Sequence, residues 1–227
     1  MSDVATSEPR ARRARARFQF QLPAGWSRAE PTPPADPRFV PIVALAGRAA
    51  ELVDHYLRLP RLTCCSFRAG YRVFVDDRWW LEGVDEPWMS MNWVRACSEL
   101  LVDATAREVK TFVWEESRLQ LRREDDWLRL VDDAAPTVYP PVWVPLRPFA
   151  RDLWLGARAF ERLANEIAAE VARRGGTPEK LAELRQHNPA RSASPAQTEL
   201  EKLSQIELNF ARARVDLHPL RDFLGVI

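Results

Sequence analysis

Carboxylates arrive in groups along one stretch of this chain, at Asp76-Asp77, Asp85-Glu86, Glu115-Glu116, Glu124-Asp125-Asp126 and Asp132-Asp133. Two or three carboxylates gathered in one place can hold a divalent cation through oxygen or meet a basic protein partner. The groups fall where an alternating apolar pattern reverses. In an up-and-down meander alternate turns share an end, which would bring Glu115, Glu116, Asp132 and Asp133 together and leave Glu124 to Asp126 at the other end. Acidic residues also populate solvent-facing turns for no further reason, and no metal site is expected from them. The acidic end and the pair Trp79 and Trp80 are therefore the expected contacts for a protein partner.

The strands between those turns carry a second constellation. Leu119 with Leu121, and Leu128 with Leu130, alternate onto one face, and Arg118, Gln120, Arg122, Trp127 and Arg129 onto the other. Guanidinium groups among indole rings can stack and pair the bases of a single-stranded nucleic acid. Arg12 and Arg13 in the N-terminal Arg run would add charge, and Phe112 and Trp114 could add rings. A plainer use is expected for that face, as the platform on which the C-terminal helices dock with Arg stems and Trp rings packed together.

Other reactive residues lead nowhere. Glu51 and His55 stand one helical turn apart, a spacing that suits a shared metal. Arg48 and Arg58 extend the same stripe, however, so it reads as a solvated helix face. His187 and His218 have no ligand-spaced neighbour. Cys64 and Cys65 would point to opposite faces of a strand, and Cys97 falls on the buried side of a helix. Phosphate-loop, dinucleotide, zinc-protease and nucleophile-elbow motifs are all missing. No catalytic residue and no cofactor is expected.

The elements that must position these residues follow from periodicity. Residues 1–37 are rich in Arg, Ala and Pro and are expected to be a disordered tail, apart from a short strand at Arg17 to Leu22 where Phe18, Phe20 and Leu22 alternate. Ile42 to Leu59 reads as an amphipathic helix closed by Pro60. Leu62 to Phe67, Tyr71 to Val75 and Trp79 to Val84 read as strands, and Met89 to Ala106 as a second helix. Val109 to Trp114, Arg118 to Arg122 and Trp127 to Val131 complete the meander.

Residues 134–148 form a Pro-rich connector. Phe149, Leu153, Phe160, Leu163, Ile167 and Val171 then mark a helix of about 27 residues, some 40 Å long. Gly175-Gly176 stops it, and Thr177-Pro178 opens a short helix. Ser194 to Gln197 reads as a capping box for a last helix with its seam at Leu200, Leu203, Ile206, Phe210 and Ala213.

The expected protein is thus α+β: a mostly antiparallel sheet of five to seven strands (38–133) with both early helices on one face, then a helical hairpin (149–227) packed on it. A monomer is expected, the dimer alternative being through the C-terminal helices.

Composition bounds the function. A chain of 227 residues, 46% hydrophobic with 9 Trp and 10 Phe, can bury a full core. The net charge of +1 hides a basic first seventeen residues and a nearly neutral remainder, so a general nucleic-acid coat is not indicated. Three irregularly spaced Cys suit a reduced, cytoplasmic location. Neither an ordinary signal peptide nor a membrane span is expected, since no apolar run follows the N-terminal Arg and no window approaches eighteen apolar residues. Abundant Arg and Ala with Lys only at 110, 180 and 202 suggest a GC-rich bacterial source.

From Tyr71 to Asp132 the chain resembles, in outline only, small bacterial accessory and immunity-type proteins. The expected function is a non-enzymatic protein-binding factor of the inhibitor or immunity kind. The alternatives are a nucleic-acid-associated module and an enzyme whose carboxylates converge only in three dimensions.

Overall fold

The computed structural model describes residues 12–23, 39–63, 66–76, 78–85, 91–102, 109–114, 117–132, 140–187 and 197–226. The strands are β1 (Arg12–Arg13), β2 (Ala16–Pro23), β3 (Phe39–Pro41), β4 (Ala69–Val75), β5 (Arg78–Asp85), β6 (Val109–Trp114), β7 (Ser117–Glu124), β8 (Trp127–Asp132) and β9 (Val142–Pro145). The helices are α1 (Ala49–Arg58), α2 (Asn92–Val102), α3 (Leu146–Arg173), α4 (Pro178–His187), α5 (Glu199–Arg212) and α6 (His218–Leu224). The class is α+β, as expected. The strands form two sheets instead of one, ordered β1-β9-β8-β7-β6 and β3-β2-β4-β5. All pairings are antiparallel except β1 with β9, so the first sheet is mixed at that edge.

Helix α3 is the spine. Its buried positions, among them Phe149, Leu153, Phe160, Leu163, Ile167 and Val171, recur at steps of three and four and leave one broad apolar stripe. Pro148 is harmless in the first turn, where its missing N–H has no intrahelical partner to lose. The helix ends where Gly175 turns to φ +91 and the Gly176 N–H donates back to the Val171 carbonyl at 3.0 Å. Around α3 lie β2, α1, α5, α6 and α2. Gly156 permits the closest approach, since a Cβ there would stand 2.5 Å from the Phe20 ring on β2. Phe18, Tyr71, Trp93 and Phe149 gather beside it with ring centroids 5.2–6.1 Å apart.

Several expectations are corrected by this packing. Residues 12–23 do not belong to a tail. β2 is an interior strand paired to both β3 and β4, and its Phe18, Phe20 and Leu22 are buried. The 134–148 connector ends in β9, where Val142 and Val144 face the core. The described residues of Leu62 to Phe67 form no strand, holding only a 3-10 turn at Ser66, and β4 begins at Ala69. Helix α1 packs on α3 and α5 instead of lying on a sheet.

The last helix starts at Glu199, with Thr198 and Glu201 forming the capping box. Gln197 cannot serve that end, because its amide holds both backbone groups of Leu62, accepting from N at 2.6 Å and donating to O at 3.2 Å. Lys202 caps the other partner, its ammonium donating to the Leu57 and Leu59 carbonyls at the end of α1. Helix α6, opened by Pro219, completes the core through Leu220.

One ion cluster ties α3 to α1. Glu170 accepts from Arg173 Nε at 2.7 Å and Arg174 Nε at 2.6 Å, and Arg174 also reaches Asp54 on α1 at 2.7 Å. The bond from Arg173 foremost, joined by Arg174, holds the Glu170 carboxyl down at about 2, well below its ordinary 4.5. A folded-state value below the unfolded one contributes stability in full above pH 4.5 and loses it as pH falls through about 2. Glu170→Gln should therefore lower Tm at neutral pH, and its difference from wild type should close as the buffer is taken from pH 5 to pH 2. A difference that stays constant over that interval would show that the cluster adds no charge-dependent stability.

Candidate binding face of the five-stranded sheet

The hairpin β7–β8 turns on Asp125 and Asp126, with Asp125 at φ +51, a left-handed position that Asp tolerates better than most residues. From that turn the register runs Glu124 opposite Trp127, Arg122 opposite Arg129, and Leu121 opposite Leu130. Residues directly opposite share a face, so Leu121, Leu128 and Leu130 join Val142 and Val144 in the core. Arg122, Trp127 and Arg129 take the reverse face and remain half-buried.

Continuing across the sheet, Arg129 lies opposite Trp143 on β9, and Trp143 lies beside Arg13 on β1. The result is one transverse row, Arg13, Trp143, Arg129, Arg122, crossing four strands over about 14 Å. Arg13 is exposed and its guanidinium sits over the Trp127 ring at 4.6 Å from the centroid.

Arg122 and Arg129 are like charges placed directly opposite, an arrangement that costs stability unless an anion offsets it. Glu124 supplies part of that offset at 3.0 Å from Arg122. Arg122 Nε is nevertheless buried with no hydrogen-bond partner among the described residues. The row sets guanidinium groups and two indole rings on one face, Arg13 exposed and the others half-buried, where a flat, negatively charged molecule could stack and pair.

The C-terminal helices do not dock here as expected. They pack on β2, on β9, on α1 and α2 and on one another, and the residues of this face lie outside the hydrophobic core. Phe112 stands opposite Leu119 and Trp114 opposite Ser117, the parity of Leu121, and the side chains of both lie outside the described part. Arg118 keeps the parity of Arg122, and Arg12 the opposite parity from Arg13; the side chains of both lie outside the described part.

For the acidic constellation, Glu115, Glu116 and Asp133 lie outside the described residues, as does the side chain of Asp132 at the end of β8. The register does put the end of β8 beside the β6–β7 connection, with the Asp125–Asp126 turn at the opposite end. That turn is held through its backbone, Asp126 O accepting from Leu146 N at 2.8 Å and Asp125 O from Arg123 Nε at 3.2 Å. Trp79 and Trp80 sit on β5, an edge strand, at a register shift opposite Val73 and Phe74 that leaves Trp80 unpaired in the ladder; their side chains are outside the description.

Other chemistry stays quiet. Glu51 is engaged by Arg48 at 3.0 Å, and burial, with Arg58 nearby, pushes the His55 imidazole down. Cys97 is fully buried, which pushes its thiol up to about 12 and keeps it unreactive. Cys64 and Cys65 lie outside the described residues. Among the described residues no group of three or more His, Cys, Asp or Glu is placed to hold a metal, and no helix is long and apolar enough to cross a membrane. An open cleft of about 320 Å³ between α1 and α5 is lined by Asp54, Leu57, Arg58, Glu199 and Lys202; Lys202 donates to carbonyls at the end of α1, and Asp54 pairs with Arg174 after α3.

The sequence pattern alone identified Arg122, Trp127 and Arg129, and it missed Trp143, whose strand was hidden among prolines. Compared with protein-family models, curated proteins and solved structures, the chain matches none of them.

Proposed function

We propose that this is a non-catalytic binding protein that takes single-stranded nucleic acid on the Arg/Trp face of its five-stranded sheet. The observation that carries this reading is the transverse row Arg13, Trp143, Arg129, Arg122 with Arg13 stacked on Trp127. Every base offers a π-face to an indole ring or to a guanidinium plane, and a row crossing four strands and bearing two rings has room for two or three stacked bases. The phosphates between them suit the guanidinium groups of the row. A near-neutral chain with a localised basic face fits a dedicated site better than a general coat.

The test is fluorescence anisotropy with labelled oligonucleotides. Trp127→Ala should weaken binding by about 1–3 kcal/mol, the usual worth of one stacked base. Arg122→Gln with Arg129→Gln should also flatten the salt dependence, by about 0.7 per phosphate contact removed. If the wild type binds no oligonucleotide but is captured by a protein, and neutralising Glu115, Glu116, Asp132 and Asp133 slows that capture, the acidic end is the working surface and this reading falls.

A further inference from the structure

Beyond the sheet, exposed arginines continue in one direction. Arg13, Arg15 and Arg17 occupy alternate exposed positions where the chain crosses from β1 to β2, while Ala14 and Ala16 between them pack against the core. The crossing is fixed by a reciprocal pair: Arg15 N donates to Asp76 Oδ1 at 3.1 Å, and Asp76 N donates to Arg15 O at 2.9 Å. From Arg17 the charge passes to α3. Asp152, half-buried on that helix, accepts from Phe18 N at 3.2 Å and feels both Arg17 and Arg151.

Helix α3 then sorts its charges by face. Its acids are each committed: Asp152 to Phe18 N, Glu161 to Arg158 at 3.5 Å, Glu166 to Gly47 N at 2.9 Å, and Glu170 to Arg173 and Arg174. Its exposed positions Arg151, Leu155, Arg158 and Arg162 follow steps of three and four along one outer stripe. Neither Arg151 nor Arg162 bonds to a described residue. Trp154 flanks the stripe, half-buried, with the Arg158 guanidinium 5.9 Å from its ring centroid. Asp152 and Glu166 turn to backbone N–H groups of Phe18 and Gly47, and Glu161, paired with Arg158, is the one acid beside the stripe, so its three arginines still outnumber the acid among them.

We infer that a nucleic-acid strand held on the sheet face continues over Arg15 and Arg17 and along the outer stripe of α3 at Arg151, Arg158 and Arg162. The inference rests on the sheet-face reading and deepens it: the sheet row stacks bases, and the helix stripe contacts phosphates without reading sequence. Affinity should therefore grow with oligonucleotide length beyond what the sheet can cover, and this growth should be steeply salt-dependent.

The experiment compares two labelled oligothymidylates, one of about 3 nucleotides, which the sheet face alone can cover, and one of about 25. Wild type should bind the longer at least tenfold more tightly. The triple variant Arg151→Gln, Arg158→Gln, Arg162→Gln should bind the short oligonucleotide as wild type does and lose most of the length-dependent gain, with a salt slope lower by about 2 for the longer one. These side chains are exposed, so the thermal transition of the variant should match wild type. If the variant binds the long oligonucleotide as tightly as wild type, the strand does not cross α3 and the sheet-face reading stands without it. If wild type binds neither oligonucleotide, both fall. Binding of wild type to vesicles of anionic lipid, lost in the triple variant and without any length-dependent oligonucleotide gain, would overturn the inference by making the stripe a membrane-surface contact.

Discussion

A chain lacking residues 1–23 should fail to fold cooperatively. β2 lies between β3 and β4, so its loss leaves two strands without their shared neighbour and strips α3 of the Phe20 ring against which Gly156 is fitted. Phe18, Phe20 and Leu22 are each no more than 5% exposed. Burying three such side chains contributes about 1.5–3 kcal/mol apiece, and a whole domain is stable by only about 5–15 kcal/mol. The deletion therefore removes an amount comparable with the entire stability, before any ladder hydrogen bonds are counted. Circular dichroism melting checks it. A cooperative transition within a few degrees of full length would show that the Arg-rich beginning of the chain is an accessory after all.

The same strand was legible as a strand but not as part of the core. The period of two in Phe18, Phe20 and Leu22 announced a strand at Arg17 to Leu22, where β2 lies, but its outward residues and its approach are Arg, Ala and Gln, so composition over a long window placed it in a tail. β9 was hidden differently: Pro140, Pro141 and Pro145 flank Val142-Trp143-Val144, and proline counts against a strand only where an interior N–H is needed, not at its ends.

Helices α3 and α5 were legible because an apolar seam sustained over 28 and 14 residues is not imitated by anything else, and the β7–β8 hairpin because its acidic turn and its two-sided alternation agree. The candidate site was half-visible for the same reason. Arg122, Trp127 and Arg129 belong to one local hairpin, whereas Trp143 joins them through the antiparallel β8–β9 pairing and Arg13 through the parallel pairing of β1 with β9, and no local pattern announces a parallel pairing between distant segments.

Phe160→Ala should cost about 3–5 kcal/mol, the range for truncating a buried aromatic ring, and should leave the molecular mass in solution unchanged. Phe160 is 1% exposed and stacks on Phe210 of α5, with centroids 5.8 Å apart and planes inclined by 24°. Ile167 and Val171 on α3, and Leu203 and Ile206 on α5, complete the seam, so truncation opens a cavity between elements of one chain. The surrounding side chains are already engaged: α1 brings Tyr56 to 6.4 Å from Phe210, and α4 packs on α5, leaving little freedom to collapse into the void. Denaturant unfolding of wild type and variant reads the cost, and light scattering reads the mass. The same seam would satisfy a dimer if the two helices belonged to different chains. A wild-type dimer that Phe160→Ala converts into a folded monomer would reject intramolecular pairing and make α3 and α5 a subunit interface, whereas a destabilised variant of unchanged mass places the whole seam within one chain and leaves the outer stripe of α3 free for a ligand.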